Sequence, residues 1–412
     1  MRPSSRRDDW RFGTRLVHTG VHEEAPRATP TSPPIYASST YLHPSSEELD
    51  RAFDEGGLVY SRYGNPTVGG FEAAVAAAEN GRGAVAFASG MAALHTAVLA
   101  AGTPRGSDQP AMRRILAARD LYGSSRVLLH DFIGAQGVAV DFCDMCDLDC
   151  LRETMQAAPP DVVLLEPISN PLLRVADVAA IADLAHEAGA RLVVDNTLPS
   201  PVLLRPIDLG ADLVVHSATK YLGGHGDALG GVVVAAKQLP LDSLGRYARL
   251  LGGVLGPFEA RLLARGMQTL LLRMRQHCAN AAAVAAWLEE RPEVSRVHYP
   301  GLPSHPQYEH ACRLFGGLGG GMVSFELRHA SRDAAFRFMD ALRLVLPATS
   351  LGDIYSLVSY PVVSSHRDVA PEERARQGIG EGLLRLSVGI EEPEDIIADL
   401  ETGLRAADAL NS

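Results

Sequence analysis

Short apolar blocks that stop abruptly at a polar residue recur along this sequence, and few architectures accommodate them. DVVLLEP (161–167), ARLVVDN (190–196) and ADLVVHSATK (211–220) all have this form. Between the first two, VADVAAIADLAHEAG carries apolar residues at helical spacing and ends on Gly189. Upstream, FEAAVAAAENG reads as a helix stopped by Asn80 and Gly81, GAVAFAS as a strand, and GMAALHTAVLAAG as a helix again. GGVVVAA adds a further strand after a Gly-rich loop. Uninterrupted apolar strands alternating with helices are buried on both faces, so the pattern predicts an α/β fold: a mostly parallel sheet with helices on both faces. In such sheets the polar residues just past the carboxyl ends of the strands line the ligand crevice.

The grammar differs at the two ends of the chain. Residues 1–60 are rich in Pro, Ser, Thr and charge, with no sustained period, and read as an extended N-terminal arm. Residues 61–265 form the large α/β domain, and 266–412 a smaller C-terminal α+β domain. A long helical stretch, ARGMQTLLLRMRQHCANAAAVAAWLEERP, bridges the two domains. GLGGGMVSFELR and LLRLSVGIE follow as strands, with DAAFRFMDALR and EDIIADLETGLRAADAL as helices. A hydrophobic content of 46% is enough to bury a substantial core. A net charge of −11 argues against a nucleic-acid partner, and no apolar run is long enough for a membrane span. The N-terminus lacks the apolar segment of a secretory signal, and five cysteines suit a reducing cytoplasm.

Only two of the 38 basic residues are lysine, Lys220 and Lys237. Where arginine supplies almost every positive charge, a retained lysine is a candidate for amine chemistry that a guanidinium cannot perform. Lys220 closes one of the apolar blocks, whereas Lys237 follows a strand in AAKQLP and reads as an exposed surface residue. Four strand ends present polar groups: Ser89-Gly90-Met91, Glu166 to Asn170, Asp195-Asn196, and Ser217 to Lys220. Gly90 opens a helix whose amides can hold a phosphate. Ser217 and Thr219 lie two apart, so in an extended segment both hydroxyls face one side. Any of these residues alone could be a helix cap. Together, a phosphate cup, an amine and a carboxylate suit pyridoxal phosphate. That cofactor needs a lysine, anion donors, and an acid, here Asp195, to keep its ring nitrogen protonated.

SATKYLGGHGD, VVDNT, YSRYGNPT, FASGMAAL, the Tyr-Gly of DLYGSS, and RLSVGIEE resemble, in order, the Cys/Met-metabolism family of pyridoxal-phosphate enzymes. The family includes the cystathionine γ-lyases and γ-synthases, methionine γ-lyases and homoserine-ester sulfhydrylases. The resemblance implies a fold-type-I pyridoxal-phosphate transferase fold, like that of aspartate aminotransferase. It implies that Lys220 forms the Schiff base and shuttles protons, and that Tyr122 stacks on the cofactor ring and assists. Ser89, Gly90, Met91, Ser217 and Thr219 would form the phosphate cup, and Asp195 would meet the ring nitrogen. Tyr60 and Arg62 would reach the phosphate from a neighbouring subunit of a homotetramer built as a dimer of dimers. Arg385 would grip the α-carboxylate of a small amino-acid substrate, helped by Asn170 and Ser350.

Other features read as structural. Cys143, Cys146 and Cys150 form a CxxCxxxC cluster with no fourth ligand nearby, so no metal is expected. His216 and His225 flank Lys220 as hydrogen-bonded structural residues, and GGLGGG (316–321) lets the backbone turn into MVSFEL. The resemblance implies γ-elimination from a homoserine- or homocysteine-derived amino acid through a vinylglycine-type intermediate, of the cystathionine γ-lyase kind. γ-Replacement is the alternative, and methionine γ-lyase activity ranks lower because Ser124 stands where those enzymes carry cysteine. Thr349 stands where many cystathionine enzymes carry glutamate, and Arg126 lies one position from a substrate-binding arginine of some relatives.

Overall fold

The computed structural model describes residues 30–104, 112–367 and 369–408; residues 1–29 of the expected arm lie outside that range. The chain divides into two compact units, 1–67 and 68–412.

In the first unit the backbone of Thr40 bridges that of Tyr60 in antiparallel fashion, and Asn65 Nδ2 donates to the Tyr36 carbonyl at 2.7 Å. Ser46–Asp54 is helical, which the reading of an arm without periodic structure did not foresee. The reason is local. Ser45 caps the helix by accepting from the Glu48 N–H at 3.2 Å, and Glu47 and Glu48 occupy the favourable first turn. No residue of this helix is buried, so no apolar stripe announces it.

The second unit holds two sheets. The larger is built from β1 (Gly83–Phe87), β2 (Arg114–Ala118), β3 (Ala139–Cys143), β4 (Val162–Leu165), β5 (Arg191–Asp195), β6 (Leu213–Ser217) and β7 (Gly231–Ala235). Their spatial order is β1-β7-β6-β5-β4-β2-β3. Every pairing is parallel except the two made by β7. Helix Val178–Glu187 crosses from β4 to β5 and permits parallel pairing, whereas the segment joining β6 to β7 contains no helix and returns the chain antiparallel. All four residues of β4 and all five of β7 are buried, as expected of strands covered on both faces.

The smaller sheet contains β8 (Val294–His298), β9 (Met322–Leu327), β10 (Leu346–Pro347), β11 (Leu357–Ser359) and β12 (Leu383–Ser387), in the order β10-β11-β12-β9-β8. It has its own core, in which Phe325 and Phe338 meet edge to face at 5.5 Å. Helix Leu270–Glu289 serves both cores: Leu270, Met274 and Cys278 pack into the first, and Ala281, Val284, Ala285 and Leu288 into the second. The long helix expected here is broken, because helix Pro257–Met267 ends before Leu270–Glu289 begins. The Gly266 carbonyl accepts from the Thr269 amide and hydroxyl at 3.2 Å each and from Arg273 Nη2 at 2.8 Å, which diverts it from the helical ladder.

Candidate active site

The parallel strands deliver their carboxyl-end residues to one edge of the large sheet. After β1, Ser89 caps helix Gly90–Ala101, its hydroxyl accepting from the Ala92 N–H at 3.1 Å. That hydroxyl therefore serves the cap, and the Gly90 and Met91 amides are the helix-terminal donors suited to an anion. Gly90 is sterically required. A Cβ there would stand 2.8 Å from Ser217 Cβ and 2.9 Å from its Oγ, so only glycine lets the end of β6 lie against the helix start.

Ser217 ends β6, and its amide donates to Thr197 Oγ1 at 2.8 Å. The Thr197 hydroxyl and amide in turn donate to Asp195 Oδ1 at 2.5 and 3.1 Å. Burial raises the Asp195 pKa, while the Thr197 hydrogen bonds and the nearby His216 oppose the rise. Thr197, inside the VVDNT motif, thus ties the carboxylate to the strand carrying Ser217; sequence reasoning gave it no role.

Thr219 corrects an expectation. It lies in the turn after β6 rather than in an extended segment, so the alternation argument does not apply to it. Its hydroxyl accepts from the Gly230 amide at 3.0 Å and lies 3.3 Å from the Gly230 carbonyl, which closes the loop between β6 and β7.

The same turn projects Lys220. Its amide donates to the Ser217 carbonyl at 3.1 Å, and its Nζ donates to Ser350 Oγ at 3.0 Å. Burial and the Arg385 guanidinium lower the amine pKa, while Asp353 acts in the opposite direction. Lys237, by contrast, is exposed beside helix Gln238–Leu251.

Arg385 sits in the middle of β12, 4% exposed. One Nη donates to Asn170 Oδ1 at 2.9 Å and the other to the Ser350 carbonyl at 3.3 Å. Its Nε is buried without a hydrogen-bond partner, and no carboxylate pairs with this guanidinium among the described residues. Burial pulls its pKa down to about 10. A buried, under-satisfied guanidinium of this kind is built to receive an anion. Asn170 is set by a cis bond to Pro171, whose carbonyl accepts from Ser324 Oγ at 2.6 Å.

Tyr122, 42% exposed, precedes the short helix Gly123–Val127, and its amide donates to Glu166 Oε1 at 2.7 Å. Burial, together with the Asp195 and Asp120 carboxylates, pushes the Glu166 pKa well above the ordinary range. Glu166 was noted at a strand end but assigned nothing; it holds the Tyr122 backbone in place. Gly123 is also required, since a Cβ there would come 2.5 Å from the Ser365 carbonyl oxygen. Arg126 spends its guanidinium on the Phe142 ring, 4.5 Å from the centroid, and on the Arg119 carbonyl.

Ser89, Gly90, Ser217, Asp195 and Lys220 thus form one chain of contacts, and Lys220, Ser350, Arg385 and Asn170 a second joined to it through the lysine. Tyr60 and Arg62 belong to the first unit, where the Arg62 guanidinium lies 5.7 Å from the Tyr60 ring centroid. His216 Nε2 donates to buried Glu79 Oε1 at 2.7 Å, and His225 Nδ1 lies 2.8 Å from the Gly223 carbonyl. Cys143 and Cys150 approach to 3.7 Å between sulfurs, and Cys146 turns to the Val175 carbonyl.

These residues fit pyridoxal phosphate on structural grounds: a buried amine with a lowered pKa, a sheltered carboxylate at a strand end, and a glycine cradle that a Cβ would fill. Comparison with known proteins agrees. The chain is 42% identical over 400 residues to L-methionine gamma-lyase of Pseudomonas putida, covering 96% of this chain and 98% of that one. It is 40% identical over 400 residues to O-succinylhomoserine sulfhydrylase of Pseudomonas aeruginosa, covering 96% and 94%. The crystal structure of cystathionine gamma synthase from Xanthomonas oryzae pv. oryzae, in complex with aminoacrylate and cysteine, superposes with a TM-score of 0.85 at 38% identity, covering 92% of this chain and 94% of that one. A family profile matches residues 13–405, and the chain belongs to the Cys/Met metabolism PLP-dependent enzymes, which use pyridoxal phosphate.

Proposed function

We propose that this enzyme catalyses γ-elimination on a homoserine- or homocysteine-derived amino acid, expelling the γ-substituent and, with one water consumed in hydrolysis, releasing 2-oxobutanoate and ammonia. The observation that carries the reading is the buried Arg385 with an unpaired Nε, linked through Ser350 to the Lys220 amine. An α-carboxylate received by the Arg385 fork, with Asn170 as neighbour, brings the substrate's Cα to the lysine. Lys220 Nζ, whose charged form burial disfavours, accepts the Cα proton and returns protons as ammonium. Tyr122 would cover the cofactor ring and assist. The Gly90 and Met91 amides with Ser89, Ser217 and Thr219 would hold the cofactor's phosphate, and Asp195 would hold the proton on its ring nitrogen. Bound there, pyridoxal phosphate supplies the electron sink that makes the substrate's Cα–H and Cβ–H bonds acidic.

Tyr60 and Arg62 would complete the phosphate site from a neighbouring copy, which makes a dimer the smallest active unit and a homotetramer the expected assembly. The arm at 1–60, the cofactor domain at 61–265 and the C-terminal domain at 266–412 are the division that this arrangement favours. The five cysteines are unpaired, which supports a cytoplasmic setting.

γ-Replacement is the second reading. It is supported by the similarity to the sulfhydrylase and to the synthase structure. Methionine γ-lyase relatives bring L-methionine level with cystathionine as a candidate substrate, despite Ser124. Thr349 is exposed and uncharged, so it offers no carboxylate to the distal amine of cystathionine. The test is incubation with L-methionine, L-cystathionine, O-acetyl- and O-succinyl-homoserine, with and without a thiol or sulfide. Keto-acid release without added nucleophile, lost in Lys220→Ala, supports elimination. A thioether or homocysteine formed only with the nucleophile, and no keto acid, overturns it in favour of replacement.

A further inference from the structure

After β6 the chain makes one tight turn, 217–223, and leaves it at Gly224. Within the turn the Ser217, Ala218 and Lys220 carbonyls accept from the Lys220, Gly223 and Gly224 amides at 3.1, 2.9 and 2.8 Å. The Tyr221 and Leu222 carbonyls come last, as at the end of a helix, and receive no backbone N–H among the described residues. Arg273 serves both. Its Nη1 donates to the Tyr221 carbonyl at 2.8 Å, and its Nη2 to the Gly266 carbonyl at 2.8 Å and, more weakly, to the Leu222 carbonyl at 3.4 Å. Its Nε donates to Thr269 Oγ1 at 3.2 Å. Arg273 is 5% exposed and forms no ion pair among the described residues. A buried guanidinium is costly unless its donors are used, and here they are used on neutral oxygens at the end of the lysine turn. The approach depends on glycine. Gly224 has φ +76°, and a Cβ there would stand 2.1 Å from Arg273 Nη1; a Cβ on Gly266 would stand 2.2 Å from the Gly223 carbonyl oxygen.

The helix that carries Arg273, Leu270–Glu289, also holds the other half of the site. One turn further on, His277 Nδ1 donates to the Val388 carbonyl at 2.7 Å, and its ring meets that of Tyr221 edge to face at 5.3 Å. Asn280 Nδ2 then donates to the Gly389 and Glu391 carbonyls at 3.0 and 2.6 Å. Val388 directly follows β12, the strand that bears Arg385. We propose that Arg273 is a positioning residue: it fastens the Lys220 turn to this helix and so fixes the lysine amine relative to the carboxylate-binding guanidinium of Arg385. This rests on the reading of Lys220 as the cofactor lysine. His277 and Asn280 anchor the strand end, and Arg273 anchors the turn, so one rigid element sets the distance between the group that grips the substrate and the group that moves its proton. Without the fork, the Tyr221 and Leu222 carbonyls lose their donors and the turn that aims Lys220 is free to shift.

Arg273→Met keeps the apolar stem and removes every donor. Wild type and variant are loaded with pyridoxal phosphate, and a portion of each is reduced with borohydride, which makes the lysine–cofactor bond permanent; peptide mass spectrometry then counts the loaded Lys220. The unreduced enzyme is given L-2-aminobutyrate in D2O, and exchange of its Cα hydrogen is followed by NMR. That amino acid has no γ-substituent to lose, so the readout is the same whether elimination or replacement is the natural reaction. A cofactor tag away from Lys220, or no exchange in the wild type, sinks the reading of the lysine itself. With that reading intact, Arg273→Met should lower the maximal exchange rate per loaded site about 10- to 100-fold, the scale of a misplaced reacting group. The half-saturating concentration should stay within about threefold of wild type, because the Arg385 fork and its acceptors are untouched. A wild-type rate per loaded site, even with a lowered melting temperature, overturns the proposal and leaves Arg273 a residue of packing alone. A loss confined to the half-saturating concentration overturns it as well. If Arg273→Met does not fold, as judged by circular dichroism, Arg273→Lys carries the same comparison: its ammonium cannot span the three carbonyls, so a smaller fall in rate is expected and an unchanged rate again refutes the role.

Discussion

Replacing Arg385 with lysine keeps the charge in β12 but removes the planar fork. In the structure that fork has two neutral acceptors, Asn170 Oδ1 and the Ser350 carbonyl, and a third donor, Nε, with no partner. If the missing partner is the substrate's α-carboxylate, the pair forms where the guanidinium is 4% exposed, so solvent does little to screen it. Truncating one member of a buried, hydrogen-bonded charge pair costs about 2–5 kcal/mol. That corresponds to a factor of about 30 to several thousand. Retaining a point charge should recover part of this, so Arg385→Lys is expected to lose about 100-fold in kcat/KM and Arg385→Ala more. The grip exists before and during the reaction, so the loss should fall mainly on KM. The assay is steady-state release of keto acid. The control is the amine analogue lacking the α-carboxylate, whose inhibition constant should be the same for wild type and variant. A KM within about threefold of wild type, with kcat collapsed, would refute the reasoning and make Arg385 a residue of the chemistry or the fold rather than of carboxylate binding.

Gly90→Ala would ordinarily favour a helix start, yet the added Cβ collides with Ser217; fluorescence titration should show weaker cofactor binding by about tenfold or more, and unchanged affinity would deny the cradle its role. Glu166→Gln should leave thermal stability nearly unchanged, because burial and the Asp195 and Asp120 carboxylates already disfavour its charge and the amide oxygen can still accept from Tyr122. Glu166→Ala leaves that N–H unpaired and should cost about 1–3 kcal/mol in denaturant unfolding; equal losses in the two variants would contradict this. His277, His305 and His366 are buried with pKa values pulled down to about 4 by loss of solvation, from an ordinary 6.5. The unfolded chain binds these protons first as pH falls, so stability is full above about 6.5 and declines towards pH 4, by about 3 kcal/mol per histidine at most. Urea midpoints that stay level across that window would show these rings to be protonated in the fold.

Much of the site is legible in the sequence because one rule serves many residues. In a parallel sheet every apolar block ends at the same edge, so Ser89, Asp195, Ser217 and Lys220 could be gathered without knowing the strand order. Arg385 was identified by its motif, but its burial and unsatisfied Nε depend on how the small sheet packs, and no local pattern encodes that. The antiparallel course of β7 was implicit in the absence of a helix between Ser217 and Gly231, although the apolar run alone reads the same in either direction. The helix Ser46–Asp54 was hidden because capping and first-turn charge stabilise it without any apolar stripe.

The unread residues share a physical feature. Thr197 and Glu166 act on partners placed by the local turn or by another segment: Thr197 on Asp195 and Ser217, and Glu166 on the Tyr122 backbone. A strand end fixes where a side chain begins, whereas its charge state depends on what is packed around it. Asp195 and Glu166 show this directly. Both carboxyls follow buried strands, yet Thr197 donates twice to Asp195 and His216 lies near it, so its charged form is supported. Glu166 is buried, receives only the Tyr122 amide and is repelled by Asp195 and Asp120, so its charged form is disfavoured. Two acids that look interchangeable in the sequence thus differ in what surrounds them: burial raises both pKa values, but like charge adds to the rise at Glu166 while Thr197 and His216 oppose it at Asp195.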